Sequence, residues 1–198
     1  MVRKGIGADS RIGSKFLYPG CGYGGSCFPK DTNAMAQMGK KYGAPLSLIE
    51  TTIAKNDERK VKMGLRAIEM VKDNPRARIA VLGLAFKGGT DDCRESPAMQ
   101  ILQEIMKHNS NICVYDPKAM ANAKLMLGDR VGYAETVEEA CDKADVAVIL
   151  TEWDEFKQLD LCKLKHLMKT PQILDLRNML DARQAVDNGF GYSCIGKR

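Results

Sequence analysis

The chain is short of the groups that mark several classes of function. Of its 198 residues, 6% are aromatic, one is tryptophan and two are histidines. His108 and His166 lie in no ligand spacing with cysteine, so no metal site is expected. No Lys/Arg run is long enough to form a nucleic-acid stripe, and few aromatics are present to stack on bases. No apolar run approaches the roughly 20 residues that span a bilayer, and residues 1–15 lack the apolar centre of a signal peptide. Seven cysteines is an odd count, with no CxxC pair. That pattern argues against a disulfide framework and for reduced thiols in a cytoplasmic protein. The net charge of +5 is modest and fits a small acidic ligand such as a nucleoside diphosphate.

What the chain does hold is a thiol behind a glycine run. Residues 20–31 read Gly-Cys-Gly-Tyr-Gly-Gly-Ser-Cys-Phe-Pro-Lys-Asp. Pro29 suits the first turn of a helix, where a missing N–H leaves no bond unmade, and a helix-forming stretch follows over 30–41. Cys27 is therefore expected at a helix N-terminus, where unpaired N–H groups and the positive dipole end stabilise a thiolate. Lys30 and Asp31 bring a cation and a carboxylate within one turn. The competing reading is a cysteine that is only a small buried hydrophobe. Gly20, Gly22 and Gly25 also match G-x-G-x-x-G. That fingerprint needs a strand before it and an acidic residue at the end of a second strand. Pro19 precedes this run and a helix follows it, so a dinucleotide loop is not expected here.

Residues 1–25 carry little regular signal, and a compact domain rarely begins with so long a loop. Over 45–73, Leu46, Ile49, Ile53, Val61, Leu65 and Ile68 recur at helical spacing, with Pro45 at the start and Asn74-Pro75 as the stop. Such a helix is too long for one small domain to cover and is expected to carry an interface. The alternative is two helices broken near Asn56-Asp57. From residue 78 the pattern alternates: strands over 79–84, 112–115, 131–133, 146–150, 173–176 and 191–195, and helices over 96–108, 136–141 and 181–188. Ser96 and Thr136 stand at cap positions. The expected fold is α/β, a Rossmann-like parallel sheet preceded by a helical segment, with ligands beyond the carboxyl ends of the strands. The boundary falls near residue 75, giving a helical unit over 1–75 and a sheet unit over 76–198. Phe86, Lys87 and Arg177 all follow strand ends. Trp153 reads as a packing anchor.

The stretch GADSRIGSKFLYPGCGYGGSCFPKDT closely resembles the active-site segment of the UDP-glucose/GDP-mannose dehydrogenase family of nucleotide-sugar dehydrogenases. The likeness continues through IAVLGLAFKGGTDDCRESPA, VYDP, TEWDEF and DLRNMLD. It spans the whole chain but only the C-terminal part of a member, without the amino-terminal NAD-binding domain. The resemblance implies oxidation of UDP-glucose at C6 to UDP-glucuronate with two NAD⁺. Cys27 would form a thiohemiacetal and then a thioester, and Asp31 would orient water. It implies sugar-nucleotide contacts from Phe16, Leu17, Tyr18, Gly20, Gly22, Gly24, Phe86, Lys87 and Arg177. Arg11 would reach the site of a neighbouring subunit, Lys30 and Arg94 would lie near the cofactor, and the helix over 45–73 would form a homodimer. The family's catalytic lysine would lie upstream of Met1, so the chain alone is expected to be inactive. Two alternatives stay open: GDP-mannose or another nucleotide sugar as substrate, and a non-catalytic nucleotide-binding dimerisation module.

Overall fold

A computed structural model of the chain describes residues 2–14 and 17–196. Phe16, one of the expected ligand contacts, lies outside the described residues. Helix α1 (Val2–Ile6) opens the chain and buries nothing. Helix α2 (Phe28–Lys41) carries Pro29 in its first turn, and helix α3 (Ser47–Glu69) follows. The sheet unit then runs β1 (Ile79–Leu82), α4 (Pro97–Met106), β2 (Ile112–Tyr115), α5 (Met120–Leu127), β3 (Gly132–Tyr133), α6 (Val137–Cys141), β4 (Val146–Ile149), α7 (Asp154–Lys157), α8 (Leu161–Leu167), β5 (Gln172–Asp175), α9 (Ala182–Asp187) and β6 (Gly191–Cys194).

All neighbouring strands pair in parallel, in the order β3-β2-β1-β4-β5-β6. This is the doubly wound order whose winding reverses between β1 and β4, opening a crevice at their carboxyl ends. β1, β2 and β4 are buried at every residue, as strands covered by helices on both faces must be. Helix starts are set by side chains: Ser96 accepts from Ala98 N–H, Thr136 from Glu139 N–H, Asp160 from Lys163 N–H and Asp181 from Gln184 N–H.

Helix α3 is continuous through Asn56-Asp57 and shorter than the 45–73 expected from periodicity. It also buries a different face. Asn56, Lys60, Gly64 and Ala67 are its buried residues, whereas Val61 and Leu65 are 42% and 43% exposed. Gly64 explains the choice. A Cβ there would stand 2.7 Å from Glu104 Cβ and 3.2 Å from Ile101 O, so only glycine lets α4 approach this closely. Ala67 and Val71 join the core of the sheet unit, as does Cys21 from the glycine run. Arg66 ties the same helix to β6, donating to Ser193 Oγ and Cys194 O at 2.5 and 2.8 Å.

Candidate functional site

The glycine run, residues 20–25, is held from two sides. On one side, helix α3 aligns Asn56 and Arg59 with its backbone. Asn56 Oδ1 accepts from Tyr23 N–H at 2.9 Å, and Asn56 Nδ2 donates to Tyr23 O at 3.1 Å. Arg59 donates twice to Gly20 O, at 3.0 and 2.7 Å. Gly22 has φ +144°, and a Cβ on it would meet Asn56 Oδ1 at 2.9 Å. On the other side lie the loops at the strand ends. Gly25 N–H donates to Glu95 O at 3.2 Å, and Glu95 presents that carbonyl from a strained left-handed conformation, φ 50°. A Cβ on Gly24 would stand 2.1 Å from Glu95 O and 2.4 Å from Pro97 Cδ. The Phe86 ring lies against Gly25, within 2.8 Å of where a Cβ would be.

This grip delivers Cys27 to the N-cap position of α2, where it is exposed. Tyr23 and Phe28 flank the turn edge to face, ring centroids 4.7 Å apart. Lys30 and Asp31 form an exposed pair at 3.4 Å. Arg94 pairs in two bonds with Asp92, Nε at 3.0 Å and Nη2 at 2.8 Å. That pairing raises the Arg94 pKa. The other thiol of the run, Cys21, is fully buried, with Sγ 3.7 Å from Leu150 O. Burial pushes its pKa up, against the pull of Arg177 and Arg59. Burial likewise pushes the Cys93 and Cys141 thiols up to about 12.

Two buried carboxylates at strand ends shape the crevice. Asp116, after β2, accepts from the N–H groups of Leu84 and Ala85 at 2.7 and 3.0 Å and of Lys118 and Ala119 at 2.9 and 2.8 Å. It also accepts from Trp153 Nε1 at 3.1 Å, which gives the anchor role expected of Trp153 a partner. Asp175, at the end of β5, accepts from Arg177, Met179 and Leu180 N–H groups and from the Tyr192 hydroxyl. Burial and that carboxylate push the Tyr192 pKa up. Asn178 (φ 52°) then binds both the N–H and the C=O of Ile195. The sequence Asp-Leu-Arg-Asn thus holds its loop with the first residue, projects the third and ties down β6 with the fourth.

Arg177 projects into a cleft of about 830 Å³ lined by Tyr18, Gly20, Tyr23, Glu152 and Lys157 among others. Its head packs on Gly20, where a Cβ would meet Nη1 at 2.8 Å, and pairs with Glu152. Gly20, Gly22, Tyr18 and Arg177 therefore come together, with Leu17 adjoining in sequence. Phe86 and Gly24 sit on the sheet side of the same loop. Lys87 is exposed, its Nζ 5.3 Å from the Phe86 ring centroid. Arg94 lines a separate hollow with Thr90, Asp91 and Asn122. Arg11 is not brought to the cleft; it pairs with Asp9 at 3.0 and 2.6 Å, its side chain 86% exposed. Sequence reasoning missed Asn56, Arg59, Glu152 and Asp116. Only the first two left a signal, as polar residues three apart on a helix.

Among the described residues, no set fits a dinucleotide. In a dinucleotide site the acid after β2 binds a ribose hydroxyl; here Asp116 is 1% exposed and filled by five donors. The loop after β1 also runs fourteen residues, 83–96, before α4 begins. Among the described residues there is no cluster of metal-ligating side chains and no helix long and apolar enough to cross a membrane. All seven cysteines are free thiols.

The sheet order and the crevice at the carboxyl ends of its strands define a doubly wound α/β protein. The chain belongs to the UDP-glucose/GDP-mannose dehydrogenase family: the profile of its UDP binding domain matches residues 80–182 and that of its central domain matches residues 1–58. It is 46% identical over 197 residues to a UDP-glucose 6-dehydrogenase of Rhizobium meliloti (strain 1021), covering 99% of this chain and 45% of that protein. A UDP-glucose 6-dehydrogenase of Bacillus subtilis (strain 168) is 40% identical, with 99% and 42% covered. The structure of a UDP-glucose dehydrogenase from Pyrobaculum islandicum superposes with a TM-score of 0.79 at 31% identity, over 98% of this chain and 41% of that one. The chain thus spans less than half the length of these relatives.

Proposed function

We propose that this chain supplies the covalent-capture and nucleotide-binding parts of an NAD-dependent oxidation of UDP-glucose to UDP-glucuronate. The observation that carries the reading is the two-sided grip on residues 20–25, between α3 and the loops at the strand ends, two residues before an exposed thiol. In this reading residues 1–75 belong to a central helical unit and 76–198 form the UDP-binding unit. Phe86, Lys87 and Arg177 take the nucleotide, and Tyr18, Leu17 and the backbone of Gly20, Gly22 and Gly24 close over the sugar. A guanidinium matches phosphate bidentately, and glycine backbone lets a ligand approach without a Cβ in the way. Cys27 Sγ adds to the C6 aldehyde to form a thiohemiacetal, which retains the reactive carbonyl. The hydrolytic step begins from a Cys27 thioester; Asp31 orients the water that attacks its carbonyl, and Sγ leaves.

NAD, when bound, accepts hydride, and Lys30 and Arg94 are the cations that would contact it. The described residues do not make up its site. The exposed side chains Leu48, Val61 and Leu65 on α3, Met35 and Met38 on α2 and Tyr42 at the α2 C-cap offer a face for a second copy, and Arg11 would then serve the partner's site. Calorimetry with UDP on this chain tests the nucleotide half. The account predicts binding, and a loss of about 1.5–3 kcal/mol on Lys87→Ala from one charged hydrogen bond. Unchanged affinity would remove Lys87 from the site.

A further inference from the structure

Among the described residues, the two cations lining the cleft beside the glycine loop, Lys157 and Arg177, already have partners. Lys157 Nζ lies 2.6 Å from Asp154 Oδ1, and Arg177 Nη2 donates to Glu152 Oε2. The second pair differs from the first in its setting. The Arg177 side chain is 16% exposed and Glu152 is 37% exposed. Arg177 is also fixed at its base by the Asp175 carboxylate, which accepts its N–H at 2.9 Å, and its head is seated against Gly20. The guanidinium is thus the better-covered partner and the carboxylate the more exposed one, while both line the cleft. Glu152 follows Thr151, whose hydroxyl donates to Ala85 O at 2.6 Å, and its own carbonyl packs on Gly88, 2.3 Å from where a Cβ would stand. Its backbone is thus fixed to the β1 loop, and only its side chain is free to turn.

We propose that Glu152 is a positioning residue of this site: its carboxylate holds Arg177 aimed into the cleft and is exchanged for the anionic group of the ligand. The ligand class is a nucleoside diphosphate or its sugar ester, and this rests on the reading that Arg177 takes that ligand. A phosphate accepts from the same guanidinium N–H, at Nη2, that the carboxylate occupies. Because the departing carboxylate carries a like charge, it opposes the anion until it swings away. The ligand's phosphate thus binds more weakly than a free Arg177 would allow, while the nucleoside is unaffected.

Two measurements on Glu152→Gln decide this. The first needs no ligand: the rate at which phenylglyoxal modifies Arg177, read by mass spectrometry. Releasing a charged partner should raise that rate about fivefold; equal rates in the two proteins overturn the proposal. The second is calorimetry with UDP and with uridine. The variant should bind UDP about fivefold tighter and uridine as wild type does. UDP binding that is unchanged or weaker overturns the exchange. If wild type binds no UDP, the nucleotide reading fails and the exchange fails with it, while the modification rates still report the pairing. Glu152→Asp, which keeps the charge but shortens its reach, should fall between wild type and Glu152→Gln in both measurements. A normal unfolding midpoint for each variant confirms that neither effect comes from misfolding.

Discussion

The two ends of this chain are ordered by different means. From residue 79 onward, the central strands β1, β2 and β4 are buried at every position, and the sheet's carboxyl ends are organised by buried carboxylates, Asp116 and Asp175. Before residue 47, only Cys21, Gly25, Ala36 and Gly39 are buried among the described residues, and helix α1 buries none. The reactive loop therefore has almost no core of its own. It takes its shape from Asn56 and Arg59 on α3 and from Glu95, Phe86 and Arg177 on the sheet unit. A thiol held this way is exposed yet fixed in place, which a cysteine inside a packed core is not.

The comparison breaks most sharply at the thiol. In a chimera joining the upstream half of the Rhizobium meliloti relative to this chain, Cys27→Ser should lower acid formation by on the order of 10³-fold or more, since the covalent nucleophile is lost. UDP affinity should stay the same. Acid formation near the parent rate would remove Cys27 from the chemistry. Next comes the sheet side. Asp116→Ala strands four backbone N–H groups and the Trp153 indole, and should destabilise the chain by roughly 3–5 kcal/mol, read by urea unfolding. A change below about 1 kcal/mol would mean that water replaces the carboxylate.

Asn56→Ala should act on the loop side alone. Losing both bonds to Tyr23 should cost about 1–3 kcal/mol of local stability, seen as faster exchange of the Tyr23 amide with strand amides unchanged. Faster exchange throughout the sheet would show that the two regions are not separable. The smallest effect is with pH. Burial raises the Cys93 and Cys141 thiols to about 12 from an ordinary value of 9.0, and the Tyr115 hydroxyl to about 12 from 10.0. The unfolded chain therefore releases these protons first. Stability should hold below about pH 9 and fall as pH rises through about 12. A melting temperature flat across that window would contradict these assignments.

The sheet was largely legible in the sequence because its central strands are short apolar runs between turn residues, and helices α4 and α6 begin at the polar caps Ser96 and Thr136. Helix α3 was legible as a helix but not as a surface. The apolar spacing of Val61 and Leu65 pointed to one face, and packing chose another because Gly64 and Ala67 let α4 come close and Asn56 had a backbone to hold. The thiol at a helix start was visible because Pro29 announces the first turn. The partners of that loop were not. Asn56, Arg59 and Glu152 come from elsewhere in the chain, and nothing local marks a residue whose role is set by contacts 33, 39 and 25 positions away.

The central claim is that the thiol loop and the nucleotide crevice are one site. Alkylation of the two exposed thiols, Cys27 and Cys162, followed by mass spectrometry with and without saturating UDP-glucose, tests it most directly. The account predicts that UDP-glucose slows labelling of Cys27 and leaves Cys162, on helix α8, unchanged. Labelling of Cys27 at the same rate with the ligand bound would show that the thiol and the nucleotide occupy separate places.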